Sequence, residues 1–209
     1  MEIRDQINKR NVLVAVDVQH DFIDGSLKVE EGAEVVAPLN EMAERVRATN
    51  LGRVAYTRDW HPSKTPHFDT WPVHCVQDTP GAAFHAELDV RAEDVIINKG
   101  MGQTDGYSGT EGASDNGQTL EEVIEPNGSE RVRVFVGGLA TDYCVKATAI
   151  GIAEIFAQRQ NVEFYAVKDA MRAVAHDDTE AVKAMADAGV KIIDLERAFT
   201  LIDEHRIEK

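Results

Sequence analysis

Three short apolar runs, Asn11–Val16, Asp94–Asn98 and Val132–Gly137, constrain the fold of this chain more than any other feature. Each is rich in β-branched residues and bounded by turn signals, the pattern of a short buried strand. A chemically useful residue closes each one: Asp17, Lys99 and, beyond a glycine pair, Cys144. If the strands lie parallel in one sheet, their carboxyl ends share the edge where open α/β sheets bind ligands. An acid, an amine and a thiol then converge on one crevice. That is an activated-nucleophile set, and it points to a hydrolase.

The rest of the chain alternates in the same way. Apolar residues at helical spacing run from Gly32 to Asn50, and Arg53–Thr57 reads as a second strand. Residues 61–93 carry Pro62, Pro66, Pro72, Pro80 and Gly81 with little periodicity, a connection long enough to suggest function. Phe68, Trp71 and Phe84 argue that it is ordered. A second irregular loop spans 100–109. Helical patterns follow at 118–124, 142–158 and 178–188, the last capped by Gly189, with strands predicted at 162–167 and 190–194. The reading is one α/β domain over residues 1–209. It has three layers, a six-stranded, mostly parallel sheet, and a metal-site loop region at about 59–93.

The 209 residues are enough to bury a core without a disulfide or metal. Two cysteines are too few for a disulfide framework, and the first ten residues lack a signal-peptide pattern, so a cytoplasmic location is expected. A net charge of −15 argues against nucleic acid and acidic membrane surfaces as partners. No stretch has the length of a membrane span. The sequence leaves a homo-oligomer open; an apolar surface patch would be its sign.

Cys144 follows Gly137-Gly-Leu-Ala-Thr-Asp-Tyr143 and opens an apolar helix. A helix amino terminus lowers a thiol's pKa and offers N–H groups to an oxyanion. Taken alone, Cys144 reads as a buried core cysteine, Asp17 as a turn acid and Lys99 as a solvated strand-end lysine. Their matching positions reverse that preference. A charged Lys99 beside Asp17 would hold the carboxylate ionised and favour a thiolate nearby.

Asp59 and His61 are two apart in extended backbone, so their side chains face the same way. His67 and His74 follow in the loop. A carboxylate with imidazoles suits zinc, manganese or iron, with water in open positions. Cys75 reads as a small core filler, and His20, His85, His176 and His205 have no matching context.

Asp17-Val-Gln-His-Asp-Phe22, Arg58-Asp-Trp-His61, Trp71-Pro-Val-His-Cys75, Asn98-Lys-Gly100 and Gly138-Leu-Ala-Thr-Asp-Tyr-Cys-Val145 together resemble the nicotinamidases of the isochorismatase-like cysteine hydrolase superfamily. The resemblance runs in order from about residue 11 to 195. It implies an isochorismatase-like fold and a catalytic triad of Asp17, Lys99 and Cys144. It also implies a cis Leu139–Ala140 peptide and an oxyanion hole from the N–H groups of Ala140 and Cys144. One divalent metal ion (zinc, iron or manganese) would be held by Asp59, His61 and His74, with His67 as a fourth candidate. Phe22, Trp71 and Tyr107 would wall the pyridine ring.

The implied activity is deamidation of nicotinamide to nicotinate and ammonia through a thioester, in NAD salvage. Other members of the superfamily act on different amides or on enol ethers such as isochorismate, generally without this Asp/His set. A non-catalytic metal-binding or interaction protein is the reading from another class, and the intact triad argues against it.

Overall fold

The computed structural model describes residues 9–49, 51–102 and 105–204. The amino-terminal segment before Lys9, Asn50, Gln103, Thr104 and His205 lie outside the described residues. Among the described residues six strands are formed: β1 (Lys9–Val16), β2 (Arg53–Asp59), β3 (Val95–Lys99), β4 (Arg131–Leu139), β5 (Val162–Arg172) and β6 (Lys191–Ile193). Six helices accompany them: α1 (His20–Ile23), α2 (Val36–Arg47), α3 (Leu120–Ile124), α4 (Lys146–Ile155), α5 (Thr179–Asp187) and α6 (Leu195–Asp203). The strand order is β3-β2-β1-β4-β5-β6, and every neighbouring pair is parallel.

Val12–Val16 of β1 are fully buried because both faces of the sheet are covered. Leu13 and Ala15 pack with α1, α2 and α6, whereas Val12, Val14 and Val16 pack with α3, α4 and α5. On α2, the residues Val36, Leu39, Met42, Ala43 and Val46 form the buried stripe that the helical spacing predicts. Among the described residues, no helix is long and apolar enough to cross a membrane.

The chain builds outward from β1 to β3, then returns to the other side of β1 with β4. This reversal opens a switch point at the carboxyl ends of β1 and β4, where crevices form. Gly138 allows the close approach there. Its φ is +125°, and a Cβ would lie 2.0 Å from the Val16 carbonyl oxygen.

Besides the short helix α1, which the sequence reading does not include, three elements differ from it. The strand predicted at 162–167 continues to Arg172 as β5; exposed Lys168 and Asp169 interrupt its apolar run before buried Ala170 and Met171 resume it. The helix predicted at 142–158 begins instead as a wide π-type turn over Thr141–Val145, and regular α4 follows. Helix α6, absent from that reading, is capped by the Asp194 side chain and buries Ala198, Leu201 and Ile202.

The connection at 61–93 is ordered, as its aromatic residues predict. Short 3₁₀ turns at Pro66–Asp69 and Pro80–Ala82 give it shape, and a bridge pairs His61 with Val76.

Candidate active site

β1, β2 and β3 end side by side, and the last residues of β2 and β3 meet in register: Asp59 lies opposite Lys99. Asp17 leaves β1 with a left-handed φ of +50° and donates its N–H to the Thr57 carbonyl at 3.1 Å. Its Oδ1 accepts the Thr57 hydroxyl at 2.6 Å, and its Oδ2 lies 2.8 Å from Lys99 Nζ. The same ammonium pairs with Asp59, donates to the Gly106 carbonyl at 3.0 Å and stands 3.4 Å from Cys144 Sγ. One buried cation thus holds two carboxylates and a thiol.

Burial opposes a charge on Lys99, but Asp17 and Asp59 outweigh it and hold the ammonium well above its usual pKa. Asp59 is also buried, yet the Lys99 ammonium holds its carboxyl well below the usual range. Asp17 moves the other way. Burial raises its pKa, Asp59 adds to the rise, and Lys99 and Thr57 only partly offset it.

Cys144 corrects an expectation. A helix amino terminus predicts a lowered thiol pKa, whereas burial pushes it well above the usual value. Asp17 and Asp59 add to that rise, and Lys99 opposes it. Cys144 sits in the π-type turn before α4, shielded from water. The resting group is a neutral thiol facing a carboxylate.

Beside Asp59, the ligand nitrogens of His61, His67 and His74 lie within 4.8 Å of one another. His61 Nδ1 meets the Gly100 carbonyl at 2.8 Å, and His74 Nδ1 meets the Pro72 carbonyl at 2.6 Å. A carbonyl only accepts, so each Nδ1 carries a proton, and in the neutral ring each Nε2 presents a lone pair. Both lone-pair nitrogens face Asp59 Oδ2, at 3.5 Å from His61 and 3.6 Å from His74. His61 Nε2 is buried without a hydrogen-bond partner. Unprotonated imidazole nitrogens gathered about a carboxylate oxygen, with Nδ1 fixed by backbone, are a donor set that fits a divalent cation.

A small, mostly apolar cavity opens beside these groups. Phe22, Trp71 and Tyr107 all line it, together with Asp59, His67, His74, Ala140 and Cys144. Trp71 Nε1 donates to the Tyr107 hydroxyl at 2.9 Å. The Leu139–Ala140 peptide is cis, as the resemblance implies.

Sequence reasoning missed Thr57, Tyr143 and Val174. Tyr143 stacks edge-on against Trp71 and neighbours Cys144, which was a usable signal. Thr57 ends the apolar strand one residue before the Arg58-Asp-Trp-His motif. Val174 arrives from the segment after β5, held by N–H bonds from Val174 and Ala175 to the Asp142 carboxylate at 2.9 Å each, and nothing local marks it. Cys75 is the buried filler predicted, and its N–H donates to Asp21. His20 and His85 pair with one another away from the cavity wall.

A parallel α/β sheet with a buried thiol, ammonium and carboxylates at its switch point defines the class: an enzyme with a cysteine at the sheet edge. The chain belongs to the isochorismatase domain family, whose sequence profile matches residues 11–197.

It is 36% identical over 191 residues to the nicotinamidase/pyrazinamidase of Mycobacterium tuberculosis, covering 87% of this chain and 97% of that one. The pyrazinamidase of Pyrococcus horikoshii, solved in complex with zinc, superposes with a TM-score of 0.72 at 35% identity, covering 88% of this chain and 99% of that one. The yeast nicotinamidase bound to the inhibitor nicotinaldehyde also gives a TM-score of 0.72, at 25% identity over 88% of this chain and 99% of that one. With such relatives, the chain is an amidohydrolase.

Proposed function

We propose that this chain hydrolyses nicotinamide to nicotinate and ammonia through a Cys144 thioester, a step that serves NAD salvage. The observation that carries the reading is the shared Lys99 ammonium, which gathers Asp17, Asp59 and Cys144 at one wall of an aromatic-lined cavity.

Asp17 is the base. Its raised pKa makes it a better proton acceptor than an ordinary aspartate, and the thiol it faces is neutral at rest. As Cys144 Sγ attacks the carboxamide carbon, its proton passes to Asp17 and the C=O electron pair moves onto oxygen. The N–H groups of Ala140 and Cys144 receive that oxyanion, a contribution of about 3 kcal/mol per donor. When the carbonyl re-forms, the C–N bond breaks and Asp17 delivers its proton to the departing ammonia. Asp17 then takes a proton from the water that attacks the thioester, and returns it to Cys144 Sγ as the C–S bond breaks and nicotinate leaves. Lys99 remains charged throughout and keeps Asp17 aimed.

Asp59, His61 and His74, with His67 beside them, would hold a divalent ion. When bound, that ion supplies a positive centre to anchor the pyridine nitrogen, directly or through water. Phe22, Trp71 and Tyr107 orient the ring so that its carboxamide reaches Cys144.

The test is ammonia release from nicotinamide by the purified chain before and after chelation. Release that vanishes on chelation and returns with added metal supports the reading. No release from metal-loaded protein overturns it and directs attention to other amides or enol ethers.

A further inference from the structure

Gln19 lies two residues beyond Asp17, is fully buried, and lines no part of the cavity. Its side-chain amide is spent entirely on backbone. Oε1 accepts the Asp59 N–H at 2.8 Å, and Nε2 donates to the Asp59 carbonyl at 2.8 Å and the Ala82 carbonyl at 2.9 Å. Its own N–H donates to the Asp17 carbonyl at 2.9 Å.

The reason for this clamp lies in the sheet. β1 stops pairing with β2 at Val16 and Thr57, two residues before Asp59. The Asp59 backbone would otherwise lose its partner on that side, at the point where its carboxylate must be aimed. The Gln19 amide offers the donor and acceptor that a continuing strand would have supplied. The aim has little slack: one Asp59 oxygen pairs with Lys99, and the other lies 3.5 and 3.6 Å from two imidazole nitrogens.

We infer that Gln19 is a positioning residue: it fixes the Asp59 backbone so that the carboxylate faces Lys99 and the imidazoles together, and thereby sets the site's affinity for a divalent ion. The inference rests on the metal reading proposed above. A single residue also spaces the two carboxylates that share Lys99, since its backbone holds Asp17 while its side chain holds Asp59.

The experiment measures zinc affinity of the full chain by competition with a chromogenic chelator. It compares wild type, Gln19→Met, Gln19→Glu, Asp59→Asn and Asn11→Leu. Gln19→Glu keeps the shape of the side chain and removes the amide donors, so it covers the case in which Gln19→Met fails to fold. Asn11→Leu is the stability control. It loses a buried bond to the Ile202 carbonyl, 3.1 Å long, at the opposite end of β1 from Asp17.

The Gln19 variants should weaken zinc binding about 10- to 100-fold, the usual effect of losing an outer partner of a metal ligand. Asn11→Leu should melt earlier yet bind zinc as the wild type does. Wild-type affinity in a folded Gln19 variant, alongside weakened binding in Asp59→Asn, overturns the positioning role and leaves the metal reading intact. A wild type that binds no zinc, or an Asp59→Asn variant that binds it unchanged, overturns the metal reading and this inference with it.

Discussion

Thr57 Oγ1 donates to Asp17 Oδ1 at 2.6 Å, and both side chains are completely buried. Burial raises the Asp17 pKa, and this hydrogen bond opposes the rise by favouring the carboxylate. Thr57→Val keeps the shape and removes the donor, so the pKa climbs further. A base that works as a carboxylate loses activity as pH falls through its pKa. The acid limb of the kcat/KM profile should therefore move to higher pH, with kcat/KM in mild acid falling about tenfold. An acid limb that stays in place removes Asp17 from the role of base.

Lys99 Nζ stands 3.4 Å from Cys144 Sγ, yet the imidazole cluster stands apart from the sulfur as a second set of donors. The nucleophile and the metal donors are thus separable by mutation. Cys144→Ala should abolish ammonia release, a loss on the order of 10⁴-fold or more, while bound metal measured by elemental analysis stays at the wild-type level. Substantial residual turnover would exclude the covalent route.

The strand ends were legible because β1 is buried on both faces, which forces an unbroken apolar run and makes Asp17 conspicuous at its end. Asp59 and His61 were legible for a similar reason: extended backbone fixes the side-chain period at two. Distances along the chain carry no such information about Cys144. Its turn suggested an activated thiolate, but the raised pKa comes from burial and from acids delivered by β1 and β2. Val174 was hidden because β5 continues through two exposed polar residues before the chain turns back to the cavity. Gln19 looked like one more polar residue in a motif; its use depends on where β2 outruns β1.

Gly100 has a φ of +71°, and a Cβ there would lie 2.5 Å from His61 Cε1. Its carbonyl also accepts the His61 Nδ1 proton at 2.8 Å. Gly100→Ala therefore strains the backbone and pushes the imidazole away from Asp59. Stability should fall by about 1–2 kcal/mol, read from a denaturant melt of the metal-free protein. Metal affinity should fall with it, by about tenfold or more. A variant that retains wild-type affinity would show that His61 does not need its present orientation.

Tyr107 touches the site through its hydroxyl and through its ring, which also meets His67 edge-on. Its hydroxyl accepts from Trp71 Nε1 at 2.9 Å, and its ring packs against Tyr143 with centroids 5.6 Å apart. Tyr107→Phe keeps the ring contact and leaves the half-buried indole N–H without its acceptor. Losing a neutral hydrogen bond of this kind costs about 1 kcal/mol. Trp71 lines the cavity and takes no part in the proton transfers of Asp17 and Cys144, so the loss should fall on substrate positioning. KM for nicotinamide should rise about fivefold with kcat little changed, because uniform binding is lost from ground and transition states alike. Tyr107→Ala removes the ring as well and should raise KM further, with some loss of kcat as the carboxamide drifts from the thiol. A fall in kcat alone for Tyr107→Phe would instead place the Trp71–Tyr107 pair in the chemical step.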